Sequence, residues 1–201
     1  MKKRLFAALC LTAMLLTLAA CGSASGPKET TAPLQTEPPA PTAPAIATAD
    51  ENGNYIFNGG FELTDFTGWT LTNEFTEELD IYTRTTDCYE GMQSLHFYSG
   101  ANVVDFTAEQ KLNGLEAGSY KLTAYVQGDT AGDADSTVYF YITVNGETRR
   151  ADTMLSGYVA WNCAELSGIV IPEGAEVTVG VCVKNAPGGW GTIDAITLVK
   201  E

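Results

Sequence analysis

Residues 137–147 read Thr137-Val138-Tyr139-Phe140-Tyr141-Ile142-Thr143-Val144-Asn145-Gly146-Glu147, and this stretch decides the fold. Val138, Phe140, Ile142 and Val144 fall at every second position, with Tyr139 and Tyr141 opposite them. Period two marks a half-buried strand, because successive side chains of a strand point to opposite faces. Asn145-Gly146 then supplies two residues that accept positive φ, as a two-residue hairpin requires. The alternation recurs on both sides. Residues 80–84, 94–98 and 193–199 are short alternating runs. Residues 120–127 put Tyr120, Leu122, Ala124 and Val126 on one face and Lys121, Thr123, Tyr125 and Gln127 on the other. Residues 176–184 gather Val177, Val179, Val181 and Val183. Glu116-Ala117-Gly118 and Pro172-Glu173-Gly174 are turns between such runs. There is no helix-length amphipathic segment and no repeat of fixed period. The pattern predicts an all-β domain, a β-sandwich or jelly roll. If the strand of Tyr125 and Gln127 pairs with that of Tyr139 and Tyr141, an aromatic, hydrogen-bonding surface faces outward; the plainer reading is that Tyr simply favours strands.

Working outward, the two ends of the chain differ from this domain. Met1-Lys2-Lys3-Arg4 is a basic n-region, and residues 5–20 carry no charge. Such a run is short for a transmembrane helix, which needs roughly 20 apolar residues, and it has the shape of an export signal. It ends Leu18-Ala19-Ala20-Cys21. This resembles a bacterial lipobox and implies a signal peptide over 1–20, lipidation of Cys21, and a mature protein anchored on the outer side of the cell membrane. Two acyl chains suffice for stable anchoring. Residues 21–50 hold six of the eight prolines, with Ser, Thr and Ala between them and no apolar periodicity, which predicts an extended spacer. Residues 51–201 form the domain.

The 201 residues include 11 Lys and Arg against 25 Asp and Glu, a net charge of −14. This acidity makes the chain a poor candidate for phosphate-backbone binding, since nothing offsets repulsion from nucleic acid. Hydrophobic residues at 45% exclude a wholly disordered chain. GxSxG, HExxH and P-loop patterns are absent from the sequence, which points away from an enzyme. No CxxC occurs. Once Cys10 leaves with the signal and Cys21 is lipidated, Cys88, Cys163 and Cys182 remain. Cys163 and Cys182 can pair in an oxidising compartment, or all three can be free thiols. His96 reads as a surface or packing residue, Trp69 as core, and residues 128–135 as a solvated hairpin loop without the spacing of an EF-hand.

Several stretches occur in a telling order. Asn58-Gly59-Gly60-Phe61-Glu62 is followed by Phe66-Thr67-Gly68-Trp69, then Cys88-Tyr89-Glu90-Gly91, Ser94-Leu95-His96-Phe97-Tyr98 and Val104-Asp105-Phe106-Thr107-Ala108-Glu109-Gln110. Val126-Gln127-Gly128-Asp129, Val144-Asn145-Gly146-Glu147, Gly157-Tyr158 with Trp161, and Ala186-Pro187-Gly188-Gly189-Trp190-Gly191-Thr192-Ile193-Asp194 complete the series. The ordered set resembles the galactose-binding-like carbohydrate-binding modules of family 61 that accompany bacterial arabinogalactan endo-β-1,4-galactanases. The likeness runs over nearly all of 55–201. Tyr98 and Tyr158 stand where a Trp is frequent in that family, and the galactanase barrel is absent from this sequence.

The resemblance implies a non-catalytic domain that binds β-1,4-galactan or a related plant polysaccharide. It also implies a structural calcium held by Glu62 and Asp194, tying the opening strand to the last; hard cations take such oxygen ligands. Sugar rings present an apolar face that packs on Trp and Tyr, and hydroxyls that need polar partners. On that basis Trp161 and Trp190 are stacking candidates, with Tyr98 and Tyr158 beside them. Gln127, Asp129 and Asn185 are the hydrogen-bonding candidates. An adhesion module using the same sandwich to bind a protein or envelope component is the competing class.

Overall fold

The structure, a computed structural model, describes residues 45–73, 79–83 and 85–201. The expected signal peptide, Cys21 and the spacer as far as residue 44 lie outside the described residues. Ten strands occur among the described residues: β1 (Thr70–Asn73), β2 (Leu79–Tyr82), β3 (Ser94–Tyr98), β4 (Val104–Leu112), β5 (Gly118–Asp129), β6 (Thr137–Val144), β7 (Glu147–Thr153), β8 (Gly157–Ile171), β9 (Val177–Asn185) and β10 (Trp190–Lys200). They form two five-stranded sheets. A back sheet runs β1-β4-β9-β6-β7 and a front sheet runs β2-β3-β10-β5-β8. Their pairings are antiparallel. The all-β sandwich predicted by the alternation is the fold.

The core lies between the two inner faces. Val177, Val179, Val181 and Val183 are all buried, as are Val138, Phe140 and Ile142 beside them on β6. Facing them from the front sheet are Leu122, Ala124 and Val126 of β5 and Leu95 and Phe97 of β3. Each large aliphatic side chain so buried contributes about 1.5–3 kcal/mol. Asn145 (φ 49°) and Gly146 (φ 88°) close the β6–β7 hairpin, with Val144 opposite Glu147.

Three expectations are corrected. β5 and β6 do not pair, since they belong to opposite sheets. Both strands bury one full face, and residues 130–136 carry the chain across the sandwich, so Tyr125 and Gln127 lie on the opposite outer face from Tyr139 and Tyr141. Residues 128–135 are therefore no hairpin. Cys163 and Cys182 do not pair either. Cys163 is opposite Tyr125 in the front sheet and Cys182 is opposite Tyr139 in the back sheet, and no disulfide links Cys88, Cys163 or Cys182 among the described residues. Finally, Asn58–Glu62 is not an opening strand but a series of turns. Asn58 and Phe61 have φ of 53° and 58°. The Asn58 side chain donates to the carbonyls of Asp65 and Thr67 and accepts from the Leu63 amide. Phe61 still enters the core, stacked at 5.6 Å on Trp69, whose indole N–H donates to the Asn58 carbonyl.

This N-terminal segment is tied to both sheets. The buried Gln110 of β4 accepts from the Phe57 amide and donates to the Phe57 carbonyl, both at 2.8 Å. The Tyr55 amide donates to Leu198 of β10, and the Ile196 amide donates to Gly59. Packing starts upstream of residue 51, because Ala47 is buried and its amide donates to the Asn113 carbonyl.

Candidate functional site

The outer face of the front sheet carries the chemistry. On β10, Trp190, Thr192 and Asp194 alternate outward, while Gly191 turns inward over the Phe97 ring, where a Cβ would lie 2.1 Å from the ring edge. The cross-strand register then builds rows. Trp190 is opposite Tyr98 of β3 and Asp129 of β5. Tyr158 approaches Trp190 with ring centroids 6.2 Å apart. Tyr98 and Tyr158 are 49% and 57% exposed, so this row presents aromatic side chains to solvent.

The second row is polar. Thr192 stands between His96 of β3 and Gln127 of β5, and His96 is opposite Asp80 of β2. His96 Nδ1 lies 2.7 Å from Asp80 Oδ1, and its ring stacks on Tyr82 at 3.7 Å. Gln127 Oε1 accepts from the Val159 amide at 2.6 Å. Gln127 Nε2 and Thr192 Oγ1 are both buried without a hydrogen-bond partner.

The third row joins Asp194 to Tyr125. Tyr125 is covered by Tyr89 at 3.5 Å, and Tyr89 meets Trp161 edge-on at 5.6 Å. Trp161 and Tyr158 belong to a wide bulge of β8, which leaves its register with β5 between Asn162, opposite Val126, and Gly157, opposite Gly128. Val159 within the bulge has φ 59°, an unusual conformation for a β-branched residue, held by Gln127.

Of the seven ligand-binding candidates, Tyr98, Asp129, Tyr158 and Trp190 come together in the first row. Gln127 lies beneath the bulge and is fully buried. Asn185 is also fully buried: its Nδ2 donates to the Asp129 carbonyl, and its Oδ1 has no partner. Trp161 stands apart from Trp190, inside β8 rather than at a strand end. Sequence reasoning missed Thr192 and Tyr89 and read His96 only as a surface or packing residue, while Tyr125 was singled out with the wrong partner strand. For Thr192 the signal was available, since it falls midway between Trp190 and Asp194 at strand spacing.

Glu62 and Asp194 flank a cleft of about 440 Å³ that also takes in Asp50, Asn54 and Gly60. Asp194 is fully buried. Its Oδ2 accepts from the amides of Tyr89 and Glu90, and its Oδ1 from the Ala195 amide. Burial raises its carboxyl to about 6 despite these hydrogen bonds, and the Glu62 charge adds to the rise. Glu62 Oε1 accepts from the amides of Met92 and Gln93, while Oε2 accepts no hydrogen bond among the described residues. Two oxygen-only side chains, one of them buried and short of positive charge, fit a hard cation; carbonyls would have to supply the remaining ligands, because no cluster of three or more His, Cys, Asp or Glu occurs among the described residues. A larger cleft of about 470 Å³ lies elsewhere, between the β6–β7 turn and the end of β8, where Arg149 donates to the Ser167 and Gly168 carbonyls.

No protein-family model and no curated protein sequence matches the chain. Solved structures do. TmCBM61 in complex with β-1,4-galactotriose aligns with a TM-score of 0.63 at 23% identity, covering 74% of this chain and 99% of that one. The C-terminal family 22 carbohydrate-binding module of Clostridium thermocellum Xyn10B aligns with a TM-score of 0.51 at 20% identity, covering 75% and 96%. The enzymatically active domain of tailspike protein 4 from bacteriophage CBA120 aligns at 0.56 and 12% identity, but over only 22% of its own length. The likeness establishes the fold as the β-sandwich shared with carbohydrate-binding modules. It agrees with the family 61 resemblance drawn from the motifs.

Proposed function

We propose that this protein binds a polysaccharide without transforming it, and that the ligand is β-1,4-galactan or a close relative. The observation that carries this reading is the first row: Tyr98, Trp190 and Tyr158 gather their rings at one end of the front sheet, with Asp129 on the neighbouring strand. Aromatic rings next to a hydrogen-bonding side chain suit a pyranose, which is apolar on its faces and polar at its rim. Galactotriose bound to TmCBM61 supports the choice of sugar. Calorimetric titration of the purified chain with β-1,4-galactan oligosaccharides tests it. Saturable heat is expected, weakened tenfold or more by Trp190→Ala, since a stacked ring contributes about 0.5–1.5 kcal/mol beyond its buried area. Folded protein that gives no heat with galactan loses this ligand, and heat with an envelope protein instead would favour the adhesion reading.

We also propose that Cys21 is lipidated and holds the domain at the outer surface of the bacterial membrane, where capture would concentrate glycan near the cell. The lipobox resemblance supports this. The wild-type chain is expected in the detergent phase of a Triton X-114 partition and Cys21→Ser in the aqueous phase. Equal partitioning would remove the anchor.

A further inference from the structure

The segment Cys88–Gln93 precedes β3 and has no ladder partner, so its amides must be satisfied elsewhere. Two carboxylates do this. Asp194 Oδ2 accepts from Tyr89 at 2.7 Å and from Glu90 at 3.1 Å. Glu62 Oε1 accepts from Met92 at 2.8 Å and from Gln93 at 3.0 Å. Between the two grips lies Gly91, with φ 67°, where a Cβ would come 2.1 Å from Glu62 Oε1. The loop is thus held at four amides around a residue whose positive φ and close approach to Glu62 disfavour a side chain.

The grip has a consequence on the outer face of the front sheet. Asp194 and Tyr125 are cross-strand neighbours on β10 and β5. The loop held over Asp194 therefore lays Tyr89 over Tyr125, nearly parallel at 10° and 3.5 Å, with Trp161 edge-on at 70°. Tyr89 is 45% exposed. It is a loop ring resting on the sheet face, with one side turned to solvent. Tyr125 lies four residues before Asp129 on the same strand, so the two aromatic groups are about 13 Å apart at 3.3 Å per residue. Gln127 and Thr192, both buried, stand between them in the register.

We infer that Tyr89, with Tyr125 and Trp161, is a second stacking station for a glycan chain, and that Glu62 and Asp194 are its positioning residues through the amides of the 89–93 loop. This rests on the glycan-binding reading. Two stations about 13 Å apart suit an oligosaccharide rather than one ring, so the second station is felt only by ligands long enough to reach it.

The test compares short and long β-1,4-galactan oligosaccharides by calorimetry on the full chain, with thermal melts of each variant as a control. Tyr89→Ala is expected to weaken galactotetraose binding about tenfold, the loss of one stacked ring, and to leave galactobiose unchanged. Tyr89→Phe should restore the wild-type value, because the ring and not its hydroxyl does the stacking. Asp194→Asn, which loses one acceptor oxygen, should reproduce the Tyr89→Ala loss. Where Asp194→Asn melts far below wild type, Glu62→Gln replaces it in the same comparison. Wild-type affinity of Tyr89→Ala for the tetraose overturns the inference, as does an equal loss for both lengths, which would mean a general structural defect. Wild-type protein that is folded but binds neither length overturns the galactan reading itself, a result distinguishable from either.

Discussion

Single residues on this sandwich do more than fill space, and the back sheet shows it as clearly as the front. Tyr141 on β6 lies over Gly180 of β9, where any Cβ would come 2.5 Å from the ring, and its hydroxyl donates to Glu109 of β4. Burial, and then the Glu109 carboxylate, hold its phenol well above the ordinary 10.0. In the unfolded chain the phenol ionises near its ordinary value, whereas the folded protein keeps the proton. The stabilisation from this group is therefore complete below pH 10 and is lost as pH rises beyond it. Alkaline denaturation followed by circular dichroism should show this limb in the wild type, and Tyr141→Phe should flatten it. An unchanged limb would place the alkaline sensitivity elsewhere.

At the scale of elements, the least regular piece is the most informative. The segment Asn54–Glu62 belongs to no strand, yet it is fastened to β4 by Gln110 and to β10 by Tyr55 and Gly59. Gln110→Ala leaves the Phe57 amide and carbonyl unpaired and should cost about 1–3 kcal/mol, read as a lowered urea midpoint with unchanged slope. A midpoint within error of wild type would mean that water replaces the Gln side chain. This segment also marks how far the sequence could be read. The strands β6 and β9 were legible, because alternating valines and the Asn145-Gly146 turn leave one reading. Asn58–Glu62 was not, because Phe61 reaches the core from a turn and not from an alternating run. The row Asp80, His96, Thr192 and Gln127 was hidden for another reason. Its members lie on four strands, and only the registers of β2 against β3 and of β10 against β3 and β5 align them. The first row was half legible: aromatic residues near breaks were the correct type, but Trp161 fell into a bulge whose existence no local pattern announces.

For the whole molecule, the carboxylates of Glu62 and Asp194 join the N-terminal turns, the 89–93 loop and β10. We propose that calcium bridges them, and its effect should be global. A ligand that binds only the folded state stabilises it by about 2.7 kcal/mol at 100 times its Kd. The melting temperature should therefore rise in calcium, fall back in chelator, and respond to neither in Glu62→Gln. Identical melts of the wild type in calcium and chelator would remove the cation from the account.

Among the described residues β10 follows every other strand in sequence, yet it occupies the middle of the front sheet. Until it has emerged during synthesis, that sheet is two separate pairs, β2 with β3 and β5 with β8, each with an unpaired inner edge. Such edges are templates for pairing with other chains. A copy that stops short of Trp190 is therefore a sticky one, and the chain depends on being kept apart from its neighbours until this eleven-residue strand arrives.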